Sequence, residues 1–342
     1  MRLPAGMSWL LWPASLVFEV IVRLRGWCYR RGVFKQRRLR GVVISVGNLT
    51  VGGTGKTPMV LWIAERLIAE GKPVGILTRG YRGGRPAGER GKLESDEAAM
   101  LRERLRRKAR FGIGADRYRK GLMLERHGVE WFVLDDGFQH LRLARDADIV
   151  LIDATDPFGG GFLLPAGRLR EPKSSLSRAD IVVVTRSEHA PAAETVIRRH
   201  TTAPVFHAQT QLDSVRANLE SLPGGPPLPW RAEKFFAFCG IGNPAAFYDD
   251  LQRWGMQIVG TADYRDHHHY SQGDADDLER RAQATGATAL LCTEKDVWNL
   301  DGVRFRRIPV FFCRIDLRIA EGEQFWQAVS EVVQTKRARV AR

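Results

Sequence analysis

The chain has 342 residues, of which 44% are hydrophobic, and carries a formal charge of +14 at pH 7. This length and apolar content can bury a large core in two domains, which excludes a disordered or peptide-sized protein. The positive charge favours an anionic partner, which can be a nucleic acid, an acidic membrane surface or a phosphorylated substrate.

The first predicted element is a helix in the apolar segment at residues 9–24, within an N-terminal segment at residues 1–40. The apolar run is shorter than the roughly 20 residues that a spanning helix needs, and it contains Glu19. Basic residues follow it, whereas they precede the apolar run of a signal peptide. We therefore predict an amphipathic helix in the membrane interface, with its basic flank on anionic lipid. A helix packed on its own protein is the alternative, and both can hold in part.

An apolar strand at residues 42–46 leads into a glycine-rich loop and then a helix at residues 58–70. Glycines let the backbone turn its N–H groups toward a polyphosphate. Lys56 would reach the β- and γ-phosphates, and Thr57 would offer a hydroxyl to Mg²⁺. The predicted nucleotide-binding residues are Thr50, Val51, Gly52, Gly53, Thr54, Gly55, Lys56 and Thr57.

Short, fully apolar strands alternate with helices over the following residues, which is typical of a parallel sheet covered on both faces. Strands are expected at residues 73–77, 131–134, 149–152 and 181–184, and a helix at residues 96–110. Because ligands collect at the carboxyl ends of parallel strands, we predict that Asp135 is a Mg²⁺ ligand and that Asp136 has a neighbouring catalytic role. A helix cap or turn is the alternative use of these acids.

A Pro- and Gly-rich segment at residues 221–229 indicates a domain boundary. Strands expected at residues 235–239 and 289–292 make the part beyond it α/β as well. The predicted fold class is therefore α/β, with a P-loop NTPase-like parallel-sheet domain, a second, smaller α/β domain and the N-terminal membrane-interface helix. The predicted division is residues 1–40 for the N-terminal helix and basic segment, 41–222 for the P-loop domain, 223–335 for the smaller domain and 336–342 for a basic tail.

Phosphoryl transfer to a hydroxyl also needs a group that accepts or orients its proton. Asp96 begins a predicted helix, where capping is an equally good interpretation from spacing alone. The other candidate is the segment at residues 263–270, which contains three consecutive histidines. Adjacent side chains rarely point to one centre, so one histidine acting beside a carboxylate is favoured over a metal site.

Motifs lie in order at residues 46–58, 79–82, 95–97, 135–140, 164–171, 266–268 and 293–296. This ordered set resembles the tetraacyldisaccharide 4′-kinase family over essentially the whole chain. The resemblance implies an inner-membrane-associated enzyme of lipid A synthesis that transfers the γ-phosphate of ATP to the 4′-hydroxyl of a tetraacylated glucosamine disaccharide 1-phosphate, giving lipid IVA. It also implies ATP and Mg²⁺ as cofactors and a peripheral, monotopic position on the cytoplasmic face of the inner membrane.

The resemblance further implies roles for individual residues. Asp96 and His267 would act together on the hydroxyl proton, and Asp135 and Asp136 would lie near Mg²⁺ and the phosphates. The predicted catalytic residues are Asp96, His267, Asp136 and Lys56, the predicted substrate-binding residues are Arg117, Arg170, Tyr81, Gln139 and His140, and the predicted metal ligands are Thr57 and Asp135. Ser95 and Ala98 depart from the family's usual glycine and proline. His269 replaces a common proline, so the third histidine is expected to be incidental.

Three other functions are alternatives. A partitioning-type P-loop ATPase that binds a membrane or protein partner is the nearest, but Val51 stands where that group has a signature lysine. A GTPase is disfavoured because Glu294 stands where a guanine-reading motif needs lysine. Charge alone suggests a nucleic-acid-binding protein, and without interleaved aromatic and basic residues we expect no nucleic-acid partner.

Overall fold

The computed structural model describes residues 11–80, 96–106, 108–187, 192–217 and 230–341. The helices are α1 (Trp12–Arg30), α2 (Lys56–Ala69), α3 (Asp96–Arg104), α4 (Arg117–Glu125), α5 (Ala193–Arg198), α6 (Pro244–Arg253), α7 (Gln272–Ala284), α8 (Glu294–Val297) and α9 (Gly322–Ala341). The strands are β1 (Val42–Asn48), β2 (Val74–Thr78), β3 (Arg110–Ile113), β4 (Trp131–Asp135), β5 (Ala147–Asp153), β6 (Ile181–Thr185), β7 (Val205–Ala217), β8 (Lys234–Cys239), β9 (Gln257–Asp263), β10 (Ala289–Thr293) and β11 (Val310–Ile319).

The chain forms two compact units that interleave in sequence. Unit 1 comprises Met1–Glu94, Arg104–Gln209 and Leu317–Arg342, and unit 2 comprises Ser95–Glu103 and Thr210–Asp316. The strand order is β3-β2-β4-β1-β5-β6-β7 in unit 1 and β11-β10-β8-β9 in unit 2, where β7 belongs to unit 1 only up to Gln209 and β11 belongs to unit 2 only up to Asp316. Neighbouring strands within each of these orders pair in parallel. The predicted α/β class with parallel sheets is confirmed.

The central strands of unit 1 are buried along their length, as their apolar sequences indicate. Strands β2, β5 and β6 have no exposed residue, and the inward face of α2 buries Met59, Ile63 and Leu67. A sheet that is apolar on both faces must be covered on both faces. Because β4 pairs in parallel with β1 and with β2, the carboxyl ends of these three strands meet at one edge of the sheet. The residues predicted to bind nucleotide directly follow β1 at this edge.

One predicted helix is too long. The helix expected at residues 96–110 ends at Arg104, and Arg106 has a φ of 46°, in the left-handed region. That conformation cannot continue a right-handed helix. The chain then forms β3, which pairs with β2 and places Phe111 beside Ile76.

Helix α1 has one face on unit 1 and one face in solvent. The hydroxyl of Ser15 donates to the Leu163 carbonyl and accepts from the Ala166 N–H, both at 3.0 Å, and Arg25 donates to the Gln139 carbonyl at 2.8 Å. The exposed face carries Trp12, Leu16, Val17, Val20, Ile21, Leu24 and Trp27. In the described part of the chain, no helix combines the length and apolarity needed to cross a membrane.

Helix α9 continues through the basic residues that were predicted to form a tail. Lys336 pairs with Asp180 at 2.5 Å, and Arg337 donates to the Arg40 carbonyl at 2.7 Å. These contacts explain why unit 1 includes the C-terminal helix. The domain limits predicted at residues 41–222 and 223–335 stay a prediction, and residues 221–229 lie outside the described residues.

Candidate active site

The glycine-rich loop joins β1 to α2, and α2 begins at Lys56, two residues earlier than predicted. Gly52 and Gly55 have φ values of 126° and 82°, which a residue with a Cβ rarely adopts. A Cβ at Gly53 would meet nothing within 4 Å. The loop therefore has the positive-φ backbone of a phosphate cradle and open space on the side of Gly53.

The segment before Arg170 fixes this loop from one side. The Val51 N–H donates to the Arg168 carbonyl at 2.8 Å, and the Arg168 guanidinium donates back to the Val51 carbonyl at 2.8 Å. Arg168 also pairs with Asp156 at 3.0 Å, and Thr50 forms a bridge with Leu169. Sequence reasoning singled out only Arg170 in this segment and missed Arg168, although both lie in the motif at residues 164–171.

The Asp135–Asp136 pair lies at the end of β4, beside the end of β1. Asp135 is buried, is in register with Val46 and accepts from the Thr78 hydroxyl at 3.0 Å. Asp136 has a φ of 50° and accepts from Nη1 of Arg170 at 2.9 and 2.8 Å. The two neighbouring carboxylates thus have different partners.

Asp136 also lies 3.7 Å from the ammonium group of Lys56. Burial alone would raise the pKa of Asp136, but Lys56, Arg170 and Arg117 outweigh it and bring the pKa below its ordinary value. The carboxylate is therefore ionised at neutral pH and is a poor proton acceptor. The structure brings together three predicted site residues, Lys56, Asp136 and Arg170, as a charge cluster in unit 1.

Arg117, Gln139 and His140 bring further buried polar groups to unit 1. The buried side-chain atoms of the described residues that make no hydrogen bond include Nε of Arg117, Oε1 of Gln139 and Nε2 of His140. Gln139 is fixed through its other amide atom, which donates to the Asn48 carbonyl at 2.9 Å. Because buried polar atoms are normally paired, these atoms are candidates for contacts with a bound ligand.

His140 is neutral at physiological pH. Burial is the largest cause that lowers its pKa to about 4, and the positive charges of Arg117, Arg145 and Arg25 act in the same direction. The pKa of Arg117 is itself lowered, first by burial and then by Arg79, and is partly restored by Asp136 and Asp135. An arginine keeps its charge despite such a shift.

The predicted proton-handling residues both belong to unit 2. Helix α3 begins at Asp96. His267 has a φ of 59°, donates its N–H to the Gly240 carbonyl at 3.0 Å and has Nε2 3.9 Å from Asp266. Tyr81, predicted to bind substrate, lies outside the described residues.

The consecutive histidines have different surroundings. The ring of His268 stacks on Tyr264 at 4.6 Å, and its Nε2 lies 3.2 Å from Asp274. Within the described ranges, no group of three or more His, Cys, Asp or Glu residues could hold a metal ion. His267 and His268 lie near separate carboxylates, Asp266 and Asp274.

The chain is similar to known proteins over nearly its whole length. Residues 7–334 match the family model described as tetraacyldisaccharide-1-P 4′-kinase. A relative named tetraacyldisaccharide 4′-kinase from Geobacter metallireducens is 38% identical over 338 residues, covering 95% of this chain and 98% of the relative. One of the same name from Geobacter sulfurreducens is 38% identical over 343 residues, covering 94% and 92%. The crystal structure of LpxK from Aquifex aeolicus in complex with ATP is similar with a TM-score of 0.71 and 28% identity, covering 96% of this chain and 99% of that one.

Proposed function

The chain belongs to the tetraacyldisaccharide-1-P 4′-kinase family, and we infer that it transfers the γ-phosphate of ATP to the 4′-hydroxyl of a tetraacyldisaccharide 1-phosphate in lipid A biosynthesis. The observation that carries this inference is the family match over residues 7–334, which includes the loop and the charge cluster of unit 1. The partitioning ATPase and the GTPase are not favoured. The carboxylate of Asp296 accepts hydrogen bonds from Gly240, Tyr270 and Thr293, so this residue has a structural use unrelated to reading guanine.

ATP would occupy the glycine-rich loop with its phosphates at the N-terminus of α2, whose backbone N–H groups and dipole favour anions. Lys56 would contact the β- and γ-phosphates, which requires its ammonium to face both the phosphates and Asp136. Thr57 and Asp135 supply a hydroxyl and a carboxylate, the oxygen ligands that suit Mg²⁺. A bound Mg²⁺ would neutralise phosphate charge, and the phosphates would complete its ligands.

Asp136 serves this reaction as a fixed anion. Ionised and bound to Arg170, it holds the Lys56 and Arg170 side chains at the strand edge, where their positive charges stabilise the charge that develops on the transferred phosphoryl group. Removing the carboxylate would leave two neighbouring cations in mutual repulsion.

The proton of the 4′-hydroxyl goes to the pair Asp96 and His267. The 4′-oxygen bonds to the γ-phosphorus as the bond from that phosphorus to the leaving ADP oxygen breaks, and a neutral His267 imidazole accepts the proton, with Asp96 stabilising the imidazolium. Asp266 places a carboxylate oxygen 3.9 Å from Nε2 of His267. Arg117, Arg170, Gln139, His140 and Tyr81 are proposed to bind the substrate phosphate and sugar.

The acyl chains of the substrate require access to a membrane, and α1 has the surface for peripheral attachment. Its apolar stripe from Trp12 to Trp27 is exposed, while Ser15 and Arg25 anchor the opposite face to unit 1. An amphipathic helix of this kind inserts its apolar face at headgroup depth. We place the enzyme on the cytoplasmic face of the inner membrane, where ATP is supplied.

The experiment that tests this function is an assay of phosphate transfer from ATP to purified tetraacyldisaccharide 1-phosphate. Wild type should form a product with one more phosphate, whereas Lys56→Met should lose most of this activity while remaining folded. Equal activity of the two proteins would exclude the proposed role of the loop.

A further inference from the structure

The motif Thr293-Glu294-Lys295-Asp296 forms α8 and its cap in unit 2. The Thr293 hydroxyl donates to Oδ2 of Asp296 at 2.5 Å, and the Thr293 N–H donates to the same oxygen at 3.2 Å. This capping box orients Asp296, which is only 1% exposed. In this orientation the other carboxylate oxygen, Oδ1 of Asp296, is available to groups outside α8.

That second oxygen fixes the turn after β8. Oδ1 of Asp296 accepts from the Gly240 N–H at 2.8 Å and from the Tyr270 hydroxyl at 2.9 Å. The carbonyl of the same Gly240 accepts the His267 N–H at 3.0 Å. One residue, Gly240, therefore links the buried carboxylate to the backbone of His267.

The backbone at His267 must be imposed by its surroundings, since a φ of 59° is disfavoured for a residue with a Cβ. On one side a Cβ at Gly240 would lie 3.0 Å from the Arg265 carbonyl, so that packing there is already tight. On the other side His268 stacks on Tyr264 and meets Tyr270 edge to face at 4.9 Å. Tyr270 is the same residue that donates to Asp296.

Lys295, the residue before Asp296 in α8, forms an ion pair with helix α3. Nζ of Lys295 lies 2.5 Å from Oε1 of Glu97, and each side chain is about one-third exposed. Glu97 follows Asp96 in the first turn of α3. Consecutive helical residues project about 100° apart, so Lys295 and Asp296 can hold two separate segments.

We propose that α8 and its cap position both members of the catalytic pair, Asp296 through Gly240 for His267 and Lys295 through Glu97 for Asp96. Neither Lys295 nor Asp296 touches the reacting atoms in this account, so both are positioning residues. The proposal rests on the proposed function, because it assigns a purpose to the scaffold only if Asp96 and His267 handle the proton.

The test compares kcat, KM for ATP and thermal stability for Lys295→Met and Asp296→Asn. Misplacement of a catalytic group lowers the rate by about ten- to a hundredfold, so kcat should fall by that factor with KM for ATP unchanged. Lys295→Arg, which keeps a positive charge beside Glu97, should retain most of the wild-type kcat. Arg280→Met, which removes another ion pair of unit 2, is the matched control and should keep the wild-type kcat.

Double variants separate positioning from general damage. In an Asp96→Ala background, Lys295→Met should lower the residual kcat by less than about twofold, and Asp296→Asn should behave likewise in a His267→Ala background. The proposal would be overturned if Lys295→Met lowered kcat by the same factor in the wild-type and Asp96→Ala backgrounds, or if Lys295→Met alone kept the wild-type kcat. If Asp296→Asn does not fold, Lys295→Met still tests the proposal, because the Lys295 side chain is about one-third exposed. Full activity of Asp96→Ala and His267→Ala would instead remove the catalytic pair itself, which is a different failure.

Discussion

Nη1 of Arg170 lies 2.9 and 2.8 Å from the two carboxylate oxygens of Asp136. The same carboxylate lies 3.7 Å from Lys56, so one anion holds two cations at the end of β4. The arrangement explains how positive side chains can stay ordered beside the phosphate loop. It also makes Arg170 more than a surface cation, because its loss would release Asp136 toward Lys56.

Arg170→Gln should lower kcat/KM for ATP by about ten- to a hundredfold, since hydrogen bonds to charged groups contribute roughly 1.5–3 kcal/mol. Steady-state kinetics at saturating lipid substrate measures this effect. Arg66→Gln removes an arginine that pairs with Glu323 on the surface of unit 1 and is the matched control. Equal kcat/KM for Arg170→Gln and the control would contradict the role of the cluster.

Gly47→Ala should destabilise the protein, because the new Cβ would lie 2.6 Å from Cβ and 2.7 Å from the backbone nitrogen of Phe138. Relieving that overlap displaces the segment that follows Asp136, at a cost of about 1–3 kcal/mol. Thermal denaturation measures the change. Gly53→Ala, in the loop that follows β1 and with open space at its Cβ, should unfold near the wild-type temperature. A normal melting temperature for Gly47→Ala would show that the two segments separate easily.

His140 should make the free energy of unfolding depend on pH between about 4 and 6.5. Its folded-state pKa is lowered to about 4 from 6.5, so in this window the unfolded chain binds more protons than the native protein. Stability contributed by the neutral imidazole is therefore present above pH 6.5 and is lost as the pH falls toward 4. Denaturant titrations should show a weaker pH dependence for His140→Gln than for wild type. Superimposable dependences would contradict the burial of an uncharged imidazole.

Val20→Glu should weaken binding to vesicles that contain anionic phospholipid. Val20 is 64% exposed on the apolar stripe of α1, and burying such a side chain contributes about 1.5 kcal/mol or more, which corresponds to about tenfold in the partition coefficient. Cosedimentation measures the bound fraction. Met123→Glu places the same charge on an exposed apolar residue of α4 and should bind like wild type. If both variants bind equally, α1 is not the membrane-facing surface.

Local sequence patterns were sufficient for much of the fold. Apolar runs ending in polar residues predicted β1, β4 and β6 within a few residues, because a buried parallel strand has few alternatives. The predicted end of the helix at residues 96–110 was wrong, because Arg106 adopts a left-handed backbone and no glycine marks that position in the sequence. Strand β3 was missed because its four residues, which include Arg110 and Gly112, show no apolar run.

Site residues that depend on distant contacts could not be found from sequence. Lys56, Asp135 and Asp136 stand in local motifs. In contrast, Arg168 donates a hydrogen bond to Val51, which is 117 residues away in the sequence, and Thr78 donates one to Asp135, which is 57 residues away. The motif at residues 293–296 was visible, but its connection to His267 passes through Gly240 and needs the three-dimensional structure.

The decisive measurement is the transfer of labelled γ-phosphate from ATP to purified tetraacyldisaccharide 1-phosphate. Wild type should give a lipid product phosphorylated at the 4′ position, and Asp96→Ala and His267→Ala should give strongly reduced product. ATP hydrolysis by wild type without a phosphorylated lipid would contradict it.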